Sequence, residues 1–206
     1  MALAKFDSLS IQFSKKIGDT VATSSAAGTI LTVAERETYI NLALNEVFRK
    51  YWAGVQGDSD KFLEIFPELF RSVQATVTTG VYTLAAATTY DFFKMIDAYT
   101  TSTPKYIKFL KKSLRTVVIA ETNTLYVPSA TNLIGFEVEG TLEFYPVASF
   151  PSTSVELNYI RKPVDPANGL AYTYSSTTDI PFNAIWSEEI AETALQIWRQ
   201  NTQERN

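Results

Sequence analysis

Three glutamates in one short run are the first place to look for chemistry. Glu137, Glu139 and Glu143 lie within GFEVEGTLEFYP. Two carboxylates at a fixed separation are enough for glycoside hydrolysis, one giving a proton and the other attacking or activating water. The chain has no histidine and no cysteine. The commonest general base is therefore missing, together with His-containing triads, thiolate nucleophiles, disulfides and Cys/His zinc sites. A carboxylate pair, a lysine or an all-oxygen metal site is what remains.

The spacing of the apolar residues argues against catalysis in this run. Phe136, Val138, Leu142 and Phe144 alternate with Glu137, Glu139, Thr141 and Glu143, the period of a half-buried strand. A two-residue turn at Glu139 and Gly140 would pair Val138 with Thr141 and split the apolar residues between two faces. A three-residue loop keeps them on one face, with Gly140 in the left-handed position, and is the preferred reading. The glutamates then face solvent, where nothing raises a general acid's pKa. The expectation is no catalytic, cofactor-binding or metal-binding residue.

The elements around this hairpin have their own signals. Leu9, Phe13 and Ile17 predict a short helix over residues 8–17. Thr32 and Glu35 form a capping box that opens a helix with Ile40, Leu44, Val47 and Tyr51 on one stripe, ending at Gly54. Arg36, Asn41, Asn45 and Arg49 are expected mostly on its other faces. A short helix over 59–66 stops at Pro67, and Phe62, Phe66 and Leu69 read as core. Strands are expected at 73–78, 81–84 and 93–98, and again at Val155, Leu157 and Tyr159, ending before Pro163. Residues 165–178 read as an exposed loop. A last helix runs from about 183 to 203 and ends in wholly polar residues.

Composition narrows the function further. Aromatic residues make up 13% of the 206, and the net charge is −4. A chain that grips phosphates is usually basic, so tight nucleic-acid binding is not expected. The one basic stretch, 105–119, with Lys105, Lys108, Lys111, Lys112 and Arg115, reads as a solvated face. No apolar run reaches the length of a membrane span, and no signal peptide is expected.

The order of these features resembles the head-to-tail adaptor, or connector, proteins of tailed double-stranded DNA bacteriophages. The residues that carry the likeness are Gly18-Asp19-Thr20, ERETYINLALNEVFRK, TGVYTL, GTLEFYPVASFPSTSVELNYIRKP, Asp179-Ile180-Pro181 and EEIAETALQIWRQNTQE. The resemblance implies an α+β fold in which N- and C-terminal helices form a bundle carrying an inserted antiparallel β-sheet or hairpin region. Residues 1–70 and 164–206 would form the bundle and 71–163 the insertion. It implies a structural virion protein made in the host cytoplasm and placed at the neck. There a homo-oligomeric ring of about twelve copies would join the portal protein to the next tail or ring protein. DNA would pass through the lumen without specific binding. Carried onto this chain, Trp198, Arg199, Gln200, Asn201, Thr202, Gln203, Glu204, Arg205 and Asn206 would dock on the portal. Phe150, Tyr172 and Tyr174 would lie in subunit or tail contact loops. The competing readings are a tail-associated carbohydrate- or receptor-binding module using Tyr172 and Tyr174, and a hydrolase built on the three glutamates.

Overall fold

The computed structural model describes residues 2–19, 30–84, 89, 91–119, 126–165, 170–173 and 179–203. The strands are β1 (Leu3–Lys5), β2 (Phe70–Thr78), β3 (Val81–Thr83), β4 (Phe92–Thr100), β5 (Tyr106–Leu110), β6 (Leu133–Val138), β7 (Thr141–Tyr145), β8 (Ser152–Arg161) and β9 (Asp179–Asn183). The helices are α1 (Phe6–Lys16), α2 (Val33–Gly54), α3 (Ser59–Ile65), α4 (Arg115–Ile119) and α5 (Ser187–Gln203). The chain divides into two compact units, Met1–Leu69 with Lys162–Asn206, and Phe70–Arg161.

The first unit contains α1, α2, α3, α5 and the β1–β9 pair. The capping box at Thr32 is formed in both directions. Thr32 Oγ1 accepts from the Glu35 amide at 3.2 Å, and the Thr32 amide donates to Glu35 Oε2 at 2.8 Å. Ile40, Ala43, Leu44, Val47 and Phe48 of α2 are buried, as are Ile190, Ala191, Ala194 and Leu195 of α5. Helices of this length owe most of their stability to such an apolar face. Lys16 of α1 reaches Glu188 and Glu192 of α5 at 2.6 and 2.5 Å. Two polar residues expected on the open faces of α2 are instead buried. Arg36, 1% exposed, donates to Ser14 Oγ at 3.1 Å and lies 3.8 Å from buried Asp19. Asn41 clamps the backbone of Tyr172, donating to its carbonyl and accepting from its amide, both at 2.8 Å.

The second unit overturns the expected architecture. The fold is α+β, but β2 to β8 close into a barrel in the order β2-β3-β7-β6-β5-β4-β8. It is not an open sheet or hairpin inserted into a helical bundle. Closure follows from β8, which pairs along both edges. It runs against β2 from Phe70↔Ile160 to Thr78↔Ser152, and against β4 from Phe92↔Arg161 to Thr100↔Val155. A closed barrel has no free edge to aggregate. All neighbours are antiparallel except β5 and β6, which pair in parallel from Ile107↔Leu133.

The β6–β7 hairpin also differs from expectation. Val138 pairs with Thr141 across a two-residue turn, and only Gly140 of that turn has positive φ, 79°. The apolar residues are therefore split between two faces. Leu142 and Phe144 enter the barrel interior, whereas Phe136 and Val138 join Ile134 on the outside. Ile134 and Phe136 are still buried and Val138 is half-buried, because Leu110, Leu114, Val118 and Tyr126 pack over them. Both faces are apolar, so parity could not select the register. Gly135 leaves no room for a side chain in the interior, since a Cβ there would lie 2.7 Å from the Phe109 ring.

The interior also holds polar ties, of which the one at Asp91 is charged. Arg71 shares the inward parity of Val73, Ala75 and Val77, and its NH1 donates to Asp91 Oδ2 at 2.5 Å. The Tyr159 hydroxyl donates to Asp91 Oδ1 at 2.8 Å, and Asp91 itself is 0% exposed. Burial, then the Asp91 bond, pushes the Tyr159 hydroxyl far above its ordinary range. Asp91→Ala is expected to lower stability by about 3 kcal/mol, because breaking a buried pair costs far more than the pair's net worth. Asp91→Asn, which keeps an acceptor, loses less. Urea unfolding measures both. A loss of about 0.5 kcal/mol or less, the size of a surface substitution, would contradict this role.

Candidate functional site

The three glutamates do not converge. Glu137 lies opposite Leu142 and meets Lys94 at 3.3 Å. Glu139 meets Lys112 at 2.7 Å. Glu143 lies opposite Phe136 and is held in a fork by Arg115, Nε to Oε2 at 2.5 Å and NH2 to Oε1 at 2.9 Å. Tyr145 adds a third donor at 3.0 Å. The Arg115 bonds hold the Glu143 carboxyl below its usual range, and the Lys112 bond does the same for Glu139. A general acid at neutral pH needs the opposite shift. Each carboxylate instead fastens a cation of the 94–115 region to the barrel wall. The basic stretch is used similarly, with Lys105 Nζ donating to the Ala130 carbonyl at 2.9 Å and Lys108 over the Tyr126 ring at 5.0 Å. Among the described residues no group of three or more acidic side chains could hold a metal ion. None of the described helices is long and apolar enough to cross a membrane.

Two residues assigned to contact loops are interior. Phe150 is 0% exposed and packs on Phe144 inside the barrel, ring centroids 5.3 Å apart. Tyr172 is 1% exposed and stacks on Phe6 at 6.0 Å. Neither ring offers surface to a partner in this conformation. Tyr174 lies outside the described residues, as do Glu204, Arg205 and Asn206.

Residues 198–203 continue α5 as its last turns. Trp198, Asn201 and Thr202 are half-buried, while Arg199, Gln200 and Gln203 are exposed. Thr202 Oγ1 donates to the Trp198 carbonyl at 3.0 Å. This end of α5 borders a groove against α2 of about 570 Å³. Leu42, Glu46 and Arg49 line one side and Gln196, Ile197 and Gln200 the other. Leu42 is 46% exposed and also borders a second hollow of about 460 Å³, walled by residues 171–173. The α2 side was not singled out in the sequence, although Leu42 lies off the buried stripe. The arrangement offers amide donors and acceptors, one charge of each sign and two apolar side chains, which suits a protein segment more than a small substrate.

No protein-family model matches this chain, and no curated protein matches it.

Glu143 supplies a pH-dependent test of the barrel wall. Its folded pKa is depressed, so its contribution is fully present above the unfolded carboxylate range. The contribution is lost as pH falls through the lowered folded value. Glu143→Gln is expected to cost about 1 kcal/mol near pH 7, one charge-assisted hydrogen bond. The difference between the two proteins should close in acid. Chemical unfolding at several pH values reads it, and a gap that stays constant down to the acid limit would refute the assignment.

Proposed function

We propose that this chain is a structural virion protein, a subunit of an oligomeric head–tail adaptor ring that joins the portal to the tail and extends the DNA channel. The groove between α2 and α5 carries the reading. It ends on Ile197 and Gln200, next to and within the segment that the sequence likeness assigns to portal docking. A partner strand or helix laid there would meet apolar side chains at Leu42 and Ile197 among polar ones. Protein interfaces combine apolar and polar side chains in this way. The net charge of −4 suits a lumen that lets DNA slide, since every phosphate neutralised would add salt-dependent grip. The closed barrel departs from the inserted sheet that the likeness implied. The proposal therefore rests on the sequence order and on the helical unit's surface. The carbohydrate-binding alternative loses one of its two rings, because Tyr172 is interior.

Deleting residues 200–206 tests the docking end. The buried positions of α5, from Ser187 to Leu195, all precede the cut. The shortened chain should therefore keep its circular dichroism spectrum and most of its thermal stability. It should fail to add to heads in an assembly assay. A truncated chain that assembles normally would exclude the segment from docking, and one that cannot fold would make it structural.

A further inference from the structure

The outer face of the barrel across β8, β4 and β5 carries a cluster that the proposed function leaves unused. Tyr99 on β4 stands opposite Tyr106 on β5 and Glu156 on β8, with Asp97 next along the same face of β4. All four point outward, because their chain neighbours Ala98, Ile107, Val155 and Leu157 fill the interior. The rings are 36% and 54% exposed, with centroids 5.5 Å apart and planes tilted by 59°. The carboxylates beside them accept hydrogen bonds from neutral donors. Asn158 Nδ2 donates to Asp97 Oδ1 at 2.7 Å, and Ser72 Oγ donates to Glu156 Oε1 at 2.7 Å. Among the described residues no lysine or arginine forms an ion pair with either. Glu137, Glu139 and Glu143 on the same barrel each hold one. Asn158, oriented by its bond to Asp97, keeps a buried Oδ1 with no hydrogen-bond partner. The negative charge here is felt locally. Asp97 above all, with partial burial and smaller effects of Tyr106 and Glu156, holds the Tyr99 hydroxyl above its ordinary pKa.

We propose that this face docks an arginine side chain of a partner protein, with the guanidinium against the Tyr99 and Tyr106 rings and its N–H groups shared between Asp97 and Glu156. Exposed aromatic faces attract cations, and two uncompensated carboxylates add to the field. Arginine fits better than lysine. Its planar group stacks on rings, forks to carboxylates and sheds water at lower cost. A neutral sugar would use the rings but not the charge. Tyrosine and arginine also dominate the energetics of protein contacts. This inference stands apart from the ring assignment, because it rests on the barrel surface alone.

The test titrates the full chain, carrying ¹³C-labelled tyrosine, with acetyl-Gly-Arg-Gly-amide, followed by NMR. The lysine and citrulline versions of the peptide serve as controls. The expected result is saturable shifts of Tyr99 and Tyr106, stronger for arginine than for lysine, absent for citrulline and weakened by salt. Asp97→Asn with Glu156→Gln should weaken binding about tenfold, the loss of a charge-assisted contact. Tyr99→Ala, read at Tyr106, and Tyr106→Ala, read at Tyr99, should each weaken it at least as much. All four positions are on the surface, and unchanged unfolding curves would show that the variants are folded. Equal shifts with citrulline, or arginine binding unaffected by these substitutions, would overturn the proposal. Shifts of the same two rings that grow with protein concentration alone would also overturn it, by making a second copy the occupant.

Discussion

Hydrogen bonding along both edges of β8 is the constraint on which the second unit depends. Ser152–Arg161 joins β2 to β4, and without it the other six strands would form an open sheet with two exposed edges. Its alternation divides the unit. Val155, Leu157 and Tyr159 face the interior, while Glu156 and Asn158 look outward beside Asp97 and Tyr99. Tyr159 also carries the hydroxyl that meets buried Asp91. An uncompensated carboxylate at that depth would cost several kcal/mol. The Arg71 and Tyr159 contacts make it tolerable, and they tie β2, β8 and the start of β4 together.

Elements with local signals were legible in the sequence. Thr32 and Glu35 announced α2, and Gly54 its end. Asp58 caps α3 by accepting from the Asp60 and Lys61 amides. The weak alternation around Thr79 and Gly80 marked β2 and β3. Relations between distant segments were not legible. Nothing in residues 70–78 says that they pair with 152–160, so closure was missed. Parity placed Phe136, Val138, Leu142 and Phe144 on one face only because one buried face was assumed. The cover over the other face comes from Tyr126 and from Leu110, Leu114 and Val118, the last three in a stretch whose lysines made it look solvated. Arg36 and Asn41 are typical surface residues by type. Their burial depends on Ser14, Asp19 and the Tyr172 backbone, none of which is close in sequence.

Surfaces were harder to read than the core. Tyr172 lies in a polar, loop-like segment, yet the Asn41 clamp on its backbone accompanies a ring that is wholly inside. Tyr99 and Tyr106 flank a loop separately in the sequence, and only the β4–β5 pairing sets them side by side. On the α5 side, Gln196, Ile197 and Gln200 line the groove. The α2 wall of that groove was not foreseen.

The central claim is a position between head and tail in a phage particle. A cryo-electron microscopy reconstruction of the neck of particles that contain this chain tests it most directly. The account predicts a closed ring of identical copies, with the C-terminal end of α5 turned towards the portal. Density for the chain at the distal tail or fibres, or its absence from purified particles, would contradict it.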